Sequence, residues 1–63
     1  MTWYYKSLGG HTHVRVYMNG AKCGDLCFRN DEFESIQRAI VCTDTMHKAA
    51  IGVSLITFKK DPV

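Results

Sequence analysis

The chain lacks most of the features that would assign it at once to a large class of proteins. Charged residues make up only 22% of its 63 residues, and there is a single proline. No apolar run approaches the roughly 20 residues of a membrane span, so no membrane partner is expected. The start, MTWYYK, lacks the basic and apolar segments of a secretory signal. Aromatic residues at 11% argue against disorder. These features predict one small soluble domain over residues 1–63.

Cysteine usage and charge narrow the setting further. The three cysteines, Cys23, Cys27 and Cys42, are an odd number, whereas secreted disulfide frameworks normally use an even number. A reducing, cytoplasmic location is therefore expected. Residues 1–30 hold four basic side chains and one acidic, a net charge of +3, and residues 31–63 hold four basic and five acidic, a net charge of −1. The first half can attract an anion, but it is too weakly basic for the phosphate contacts of duplex DNA binding.

Three strands are predicted before the middle of the chain. Residues 3–8 are rich in aromatics and end at the turn Gly9-Gly10. Residues 11–18 alternate between apolar and polar side chains, which indicates a strand with one buried face. Asn19-Gly20 is a strong hairpin signal, and a third strand is centred on residues 26–28.

The length of the hairpin loop decides which side chains face each other. A two-residue loop would place core residues beside the charged ones, so we predict a three-residue loop that pairs Tyr17 with Ala21. This register places His13 opposite Asp25 and His11 opposite Cys27. The apolar face then carries Thr12, Val14, Val16, Leu26 and Phe28. The polar face carries His11, His13, Arg15, Tyr17, Cys23, Asp25, Cys27 and Arg29.

A helix and a fourth strand follow. Asp31 is a good N-cap with Glu34 three residues later, and the helix is expected to end near Cys42, before the loop chemistry of residues 43–45. Residues 51–58 are predicted to form the last strand, ahead of a polar tail, KKDPV. Both faces of this strand carry apolar groups, which favours a homo-oligomer.

The predicted fold class is therefore α+β: a small, mostly antiparallel sheet in β-β-β-α-β order with one helix packed on one face. If the last strand pairs with the first, a right-handed crossover places the helix on the face of Val14 and Val16. The polar face then points away from the helix.

The polar face is the candidate binding surface. His11, His13 and Arg15 form a row of hydrogen-bond donors that suits phosphate or carboxylate, and histidine gains charge as the pH falls toward 6. Tyr17 and Tyr5 are candidates to stack on a base. The predicted ligand-binding residues are His11, His13, Arg15, Tyr17, Asp25, Arg29 and Tyr5. An ordinary solvated face, or a face buried in a homo-oligomer, is the alternative.

Two other chemistries stay open, although neither a catalytic residue nor a cofactor is expected. A zinc-binding domain that contacts nucleic acid would use His11, His13, Asp25 and Cys27. Cys23 and Cys27 do not fit one ion together, because they lie about 13 Å apart on a regular strand. A minor hydrolase would use Cys27 as nucleophile and His11 as base, but so short a chain encloses little substrate.

Two stretches, HTHVRV at residues 11–16 and CGDLCFRNDEF at residues 23–33, resemble short proteins of bacteriophages and prophages. The resemblance covers the first two thirds of the chain and brings no catalytic residue. It implies a small accessory phage protein in the host cytoplasm, a class that includes inhibitors of bacterial immunity. Some of these bind a host defence protein, and others are oligomers that sequester nucleotide signals. We therefore expect a non-catalytic counter-defence protein, a homo-oligomer that binds an anionic nucleotide or a host defence protein.

Overall fold

The computed structural model describes residues 1–62, which form four strands and one helix. The elements are β1 Thr2–Leu8, β2 His11–Met18, β3 Ala21–Arg29, α1 Asn30–Ile51 and β4 Thr57–Lys60. The strands form one sheet in the order β3-β2-β1-β4, with β4 parallel to β1 and the other neighbours antiparallel. The predicted α+β class and element order are confirmed. Val63, at the end of the predicted polar tail, lies outside the described residues.

The β2–β3 hairpin differs from the predicted one. Its loop has two residues, Asn19-Gly20, whose φ angles are 53° and 81°, and Met18 pairs with Ala21. Positive φ at both positions is the conformation for which Asn-Gly is favoured. The pairing then shifts by one residue beside Tyr17, because β3 holds Cys23 as an extra residue in a β-bulge. The predicted three-residue loop and its Tyr17–Ala21 pair are therefore wrong.

The bulge restores the predicted apolar face. Beyond it, Val14 pairs with Leu26, and Thr12 pairs with Phe28. Because paired residues point to the same side of a sheet, these side chains share one face. One extra residue is needed to bring them together, and the chain places it in the strand rather than in the turn.

The core lies between this face and the first turns of α1. Val14, Val16 and Phe33 are buried, and Phe33 is the only buried residue of the helix. The Phe33 ring centroid lies 5.5 Å from that of Tyr5 and 6.1 Å from that of Phe58. The helix thus packs on the face of Val14 and Val16, as expected for a last strand that pairs with the first. The partly buried aromatic residues around this core are Trp3, Tyr5, Phe28 and Phe58.

The helix begins one residue before the predicted cap. Arg29 occupies the N-cap position in an extended conformation, and its side chain makes no capping hydrogen bond. The buried Thr12 hydroxyl donates to Asn30 Oδ1 at 2.8 Å, which ties the first helical residue to β2. Asp31 lies inside the first turn, where its carboxylate accepts the N–H of Glu32 at 3.0 Å. An acidic side chain there still favours the positive end of the helix.

The helix also continues well beyond its predicted end at Cys42. Residues 43–45, predicted as a loop, are helical, and the hydroxyls of Thr43 and Thr45 donate to backbone carbonyls four residues earlier. The helix ends at Gly52, whose φ of 75° lies in the left-handed region. Its N–H donates to the Lys48 carbonyl at 2.7 Å, so the last turn is closed in the usual way. No helix in residues 1–62 combines the length and the hydropathy that a membrane span needs.

The predicted last strand, residues 51–58, is wrong over most of its length. The chain from Gly52 to Ile56 is a loop that returns along α1. The Asp44 carboxylate accepts hydrogen bonds from the backbone N–H groups of Leu55 and Ile56 and from the Ser54 hydroxyl. These bonds hold the loop against the helix, and strand pairing with β1 begins only at Thr57.

Candidate functional site

The candidate site lies on the sheet surface opposite α1, which we call the outer face. The buried residues of β2 point toward the helix, so its odd-numbered residues point the other way. The registers of β1, β3 and β4 add the residues paired with them. The outer face comprises Thr2, Tyr4, Lys6, Leu8, His11, His13, Arg15, Tyr17, Lys22, Asp25, Cys27, Arg29, Thr57 and Lys59.

The outer face has an excess of positive charge. Five of its residues are basic. Four carboxylates meet the face, those of Asp25, Asp61, Asp31 and Glu32, so the net charge is +1 with neutral histidines. The Nζ of Lys22 lies 2.9 Å from a carboxylate oxygen of Asp25. Lys6 and Lys59 are in no ion pair within residues 1–62. The face therefore suits an anion.

Arg15 is held at the centre of the outer face. Its Nε and one terminal nitrogen donate to the two oxygens of Asp61 at 3.0 and 2.7 Å. The guanidinium carbon lies 5.9 Å from the ring centroids of both Tyr4 and Tyr17. The two tyrosine rings meet edge to face, with centroids 5.3 Å apart. The hydrogen bonds to Asp61 raise the pKa of Arg15 further above its already high ordinary value, so the cation persists.

A depression of about 400 Å³ opens beside this arginine. Its walls include Tyr4, Arg15, Tyr17, Thr2 and Pro62. Small-molecule sites commonly occupy about 300–1,000 Å³, so the depression has room for a nucleotide-sized ligand. The bidentate pair with Asp61 uses two of the five N–H groups of Arg15, and the remaining three are chemically available to a ligand.

The structure brings together Arg15 and Tyr17 as predicted, but it places Tyr5 on the other side of the sheet. Tyr5 packs against Phe33 and is part of the surroundings of the core, so it does not share a face with the other predicted ligand-binding residues. Its neighbour Tyr4 pairs with Arg15, so Tyr4 and not Tyr5 is the second tyrosine of the outer face. A two-residue turn at Gly9-Gly10 would pair Tyr4 with Arg15, so the sequence does contain a signal for this contact.

The predicted cross-strand pairs are also wrong, because the two-residue turn and the bulge shift the register. Asp25 lies across from Arg15 and not from His13, and Cys27 lies across from His13 and not from His11. The proposed nucleophile and base are thus diagonal neighbours rather than a facing pair. Within residues 1–62, no three His, Cys, Asp or Glu side chains are grouped to hold one metal ion. The zinc hypothesis stays a prediction without a converging ligand set there.

The end of the outer face that carries His11 and Arg29 is exposed to solvent. Arg29 lies across from His11, and its Nε is 3.9 and 3.8 Å from the carboxylates of Asp31 and Glu32. His11 Nδ1 is 3.2 Å from the Gly9 carbonyl oxygen. The predicted residues therefore separate into two groups along the face, with Arg15 and Tyr17 at the depression and His11 and Arg29 at the far end.

Asp61 is a second residue of the candidate site, after Tyr4, that sequence reasoning missed. It belongs to the segment predicted as a polar tail, yet its N–H donates to the Tyr5 carbonyl at 2.8 Å and its carboxylate binds Arg15. Pairing of β4 beside β1 brings it there. No local pattern in the sequence signals this contact.

Comparison with known proteins finds no family model, no curated protein and no solved structure that matches the chain. The resemblance to phage proteins therefore stays a prediction.

Proposed function

We propose that the chain is a non-catalytic binding protein that holds an anionic nucleotide on its outer face. The observation that carries the proposal is the position of Arg15, which Asp61 fixes against the edge-to-face pair of Tyr4 and Tyr17 at the wall of the depression. An arginine fork fixed in this way loses little conformational entropy when it binds a phosphate.

The neighbouring residues supply the complementary contacts. A tyrosine ring offers a base a stacking surface, which typically contributes about 1–3 kcal/mol per base. Lys59 pairs with Tyr4 and Lys22 pairs with Tyr17, so positive charge lies on both sides of the aromatic pair. The base would lie against the tyrosines, and the phosphates would meet Arg15 and the flanking lysines.

The phage resemblance suggests a biological setting for this binding. A small protein that holds a nucleotide without consuming it would sequester an immune signal in the cytoplasm of the host. Docking of the same face on a host defence protein is the other form of counter-defence that the resemblance implies. Nucleotide binding by the purified protein distinguishes the two.

The test is isothermal titration calorimetry of the purified chain with linear mononucleotides, cyclic mononucleotides and cyclic dinucleotides. Adenosine and inorganic phosphate serve as the base-only and phosphate-only probes. We expect Tyr17→Leu to weaken binding about fivefold to a hundredfold through lost stacking. Arg15→Lys, which keeps the charge and loses the fork, is expected to weaken phosphate-containing ligands selectively. Leu8→Ala, at the far end of the same face, is the matched control and should bind as the wild type does.

Two results would overturn the proposal. One is the absence of binding to every nucleotide at millimolar concentration by wild-type protein that circular dichroism shows to be folded. The other is a Tyr17→Leu variant with unchanged affinity. Recovery of intact nucleotide after long incubation is expected if the protein binds its ligand without catalysis. Conversion of the nucleotide would contradict a non-catalytic role.

A further inference from the structure

One edge of the sheet is long and unpaired within the described residues. β3 has nine residues and lies at the edge, whereas β4, at the other edge, has four and is followed by Pro62 within two residues. An edge strand presents a row of N–H and C=O groups that another strand can pair with.

The hydrogen bonding of β3 shows which of its residues offer these groups. Asn30 N–H donates to the Gly10 carbonyl at 3.1 Å, which continues the antiparallel ladder with β2. Backbone polar groups alternate in direction along a strand, so the even-numbered residues near Asn30 use theirs toward β2. Asp25 and Cys27 therefore direct both their N–H and C=O groups to the open edge. Arg29 directs its N–H there, because the carbonyl of an N-cap residue accepts the first hydrogen bond of the helix.

We propose that two copies of the chain associate through antiparallel pairing of their β3 edges, with Cys27 facing Cys27 of the second copy. Asp25, Cys27 and Arg29 of each copy would form facing pairs. Because the Arg29 carbonyl is used in the helix, these pairs give about four backbone hydrogen bonds. The contact is self-complementary, as a two-fold dimer requires. The two sheets join into one of eight strands, with both helices on the same side.

Side-chain chemistry selects this register among those that the backbone allows. Centring the pairing on Asp25 or on Arg29 places like charges opposite each other, which is unfavourable. Centring it on Phe28 places Asp25 opposite Asp31. Centring it on Leu26 places Arg29 opposite Cys23 of the second copy, at the bulge. Arg29 then has no acidic residue facing it across the two strands.

Centring the pairing on Cys27 gives the most favourable facing residues. Asp25 of each copy lies opposite Arg29 of the other, so two pairs of opposite charge form. Leu26, which is 40% exposed in the single chain, lies opposite Phe28 of the second copy on the helix side. Apolar groups then cover each other where the single chain leaves them in water. The bulge at Cys23 disrupts regular pairing beyond this segment.

Cross-linking at single cysteines tests the register, since Cys23 and Cys27 are both free and exposed. Facing Cys27 residues would have Cα atoms about 5.5 Å apart. Cys23 and its copy would be offset by eight residues, about 27 Å. The Cys23→Ser/Cys42→Ser variant keeps Cys27, and the Cys27→Ser/Cys42→Ser variant keeps Cys23 as the matched control. With a short bismaleimide at micromolar protein, we expect a covalent dimer from the first variant and not from the second.

Charge reversal tests the same pairing without a covalent probe. Asp25→Arg places like charges opposite each other twice, so we expect the dimer dissociation constant to rise on the order of tenfold or more in sedimentation equilibrium. The Asp25→Arg/Arg29→Asp double variant restores opposite charges and should recover the dimer. A variant that fails only because it folds poorly would not be rescued in this way.

Three outcomes would overturn the proposal. They are a wild-type chain that stays monomeric up to about millimolar concentration, equal cross-linking through Cys23 and Cys27, and a double variant that associates no better than Asp25→Arg. These measurements use no nucleotide, so failure here leaves the proposed ligand site untouched, and failure of ligand binding leaves the dimer untouched.

Discussion

Replacing Phe33 by alanine is expected to remove a large part of the stability of the protein. This ring is the only buried side chain of α1, and it lies against Tyr5, Phe28 and Phe58 with ring centroids 5.5–6.1 Å away. No other side chain of the helix is buried, so little else can hold the helix to the sheet when the ring is lost. The cavity would open in a core whose other buried apolar residues are two valines.

The expected magnitude follows from the size of the chain. Truncation of a buried Phe to Ala costs about 3–5 kcal/mol. Globular proteins gain about 0.05–0.15 kcal/mol of stability per residue, which gives about 3–9 kcal/mol for a chain of this length. The variant thus loses between a third and all of the stability. Phe33→Leu keeps much of the volume and loses the aromatic pairs, so a smaller loss of about 1–2 kcal/mol is expected.

Urea unfolding followed by far-ultraviolet circular dichroism and by Trp3 fluorescence measures these losses. With a slope of about 1–3 kcal/mol per molar urea, Phe33→Leu should lower the midpoint by roughly 0.3–2 M. Met46→Ala is the matched control, because Met46 lies on the same helix and is 69% exposed. Its stability should change by no more than about 0.5 kcal/mol. Equal midpoints for Phe33→Ala and Met46→Ala would refute the assignment of the core.

Three further predictions concern the helix and the contacts that hold it in place. Hydrogen bonds from Ser54 and from the Leu55 N–H lower the pKa of Asp44 below its ordinary value of 3.8. The ionised Asp44 carboxylate therefore stabilises the fold above pH 3.8, and this stabilisation is lost as the pH falls through the lowered pKa. The melting-temperature difference between wild type and Asp44→Asn should therefore be full at pH 6 and close toward pH 2. Gly52→Ala should lower the free energy of unfolding by about 1–2 kcal/mol in urea unfolding, because the φ of 75° at this position is left-handed. An unchanged free energy of unfolding would contradict the left-handed helix end at Gly52. Thr12→Val removes the hydroxyl that donates to Asn30 and should lower stability by about 0.5–1.5 kcal/mol in thermal unfolding. Thr12→Ser keeps this hydrogen bond and is the control. Equal losses of stability in the two variants would show that the hydroxyl does not contribute.

The element order was predictable because it depends on local patterns. Alternation along β2 identifies the buried face, and Asn19-Gly20 identifies the hairpin. The register was not predictable in the same way. Alternation shows only that one extra residue must lie between Val16 and Leu26, and it is satisfied equally by a longer turn or by a bulge. The structure places the extra residue at Cys23, and the facing partners of His11 and His13 change as a result.

The end of the helix was missed because distant contacts override local preference. Thr43, Asp44 and Thr45 favour loops and caps, since their side chains compete for backbone hydrogen bonds. In the structure the two threonines bond within the helix, and Asp44 bonds to the loop that follows it. The partners of Asp44 lie 10–12 residues later in the chain, beyond the reach of a local pattern.

The candidate site shares this dependence on distant pairing. Arg15 and Tyr17 were identified from β2 alone, but Asp61 reaches Arg15 only when β4 pairs with β1. The proposed ligand site is therefore complete only in the folded sheet. A nucleotide that binds there stabilises the folded chain by an amount that grows with its concentration, about 2.7 kcal/mol at one hundred times its dissociation constant. That gain exceeds the loss of about 1–2 kcal/mol expected for Phe33→Leu, so nucleotide at this concentration should return the stability of the variant at least to that of the free wild-type chain.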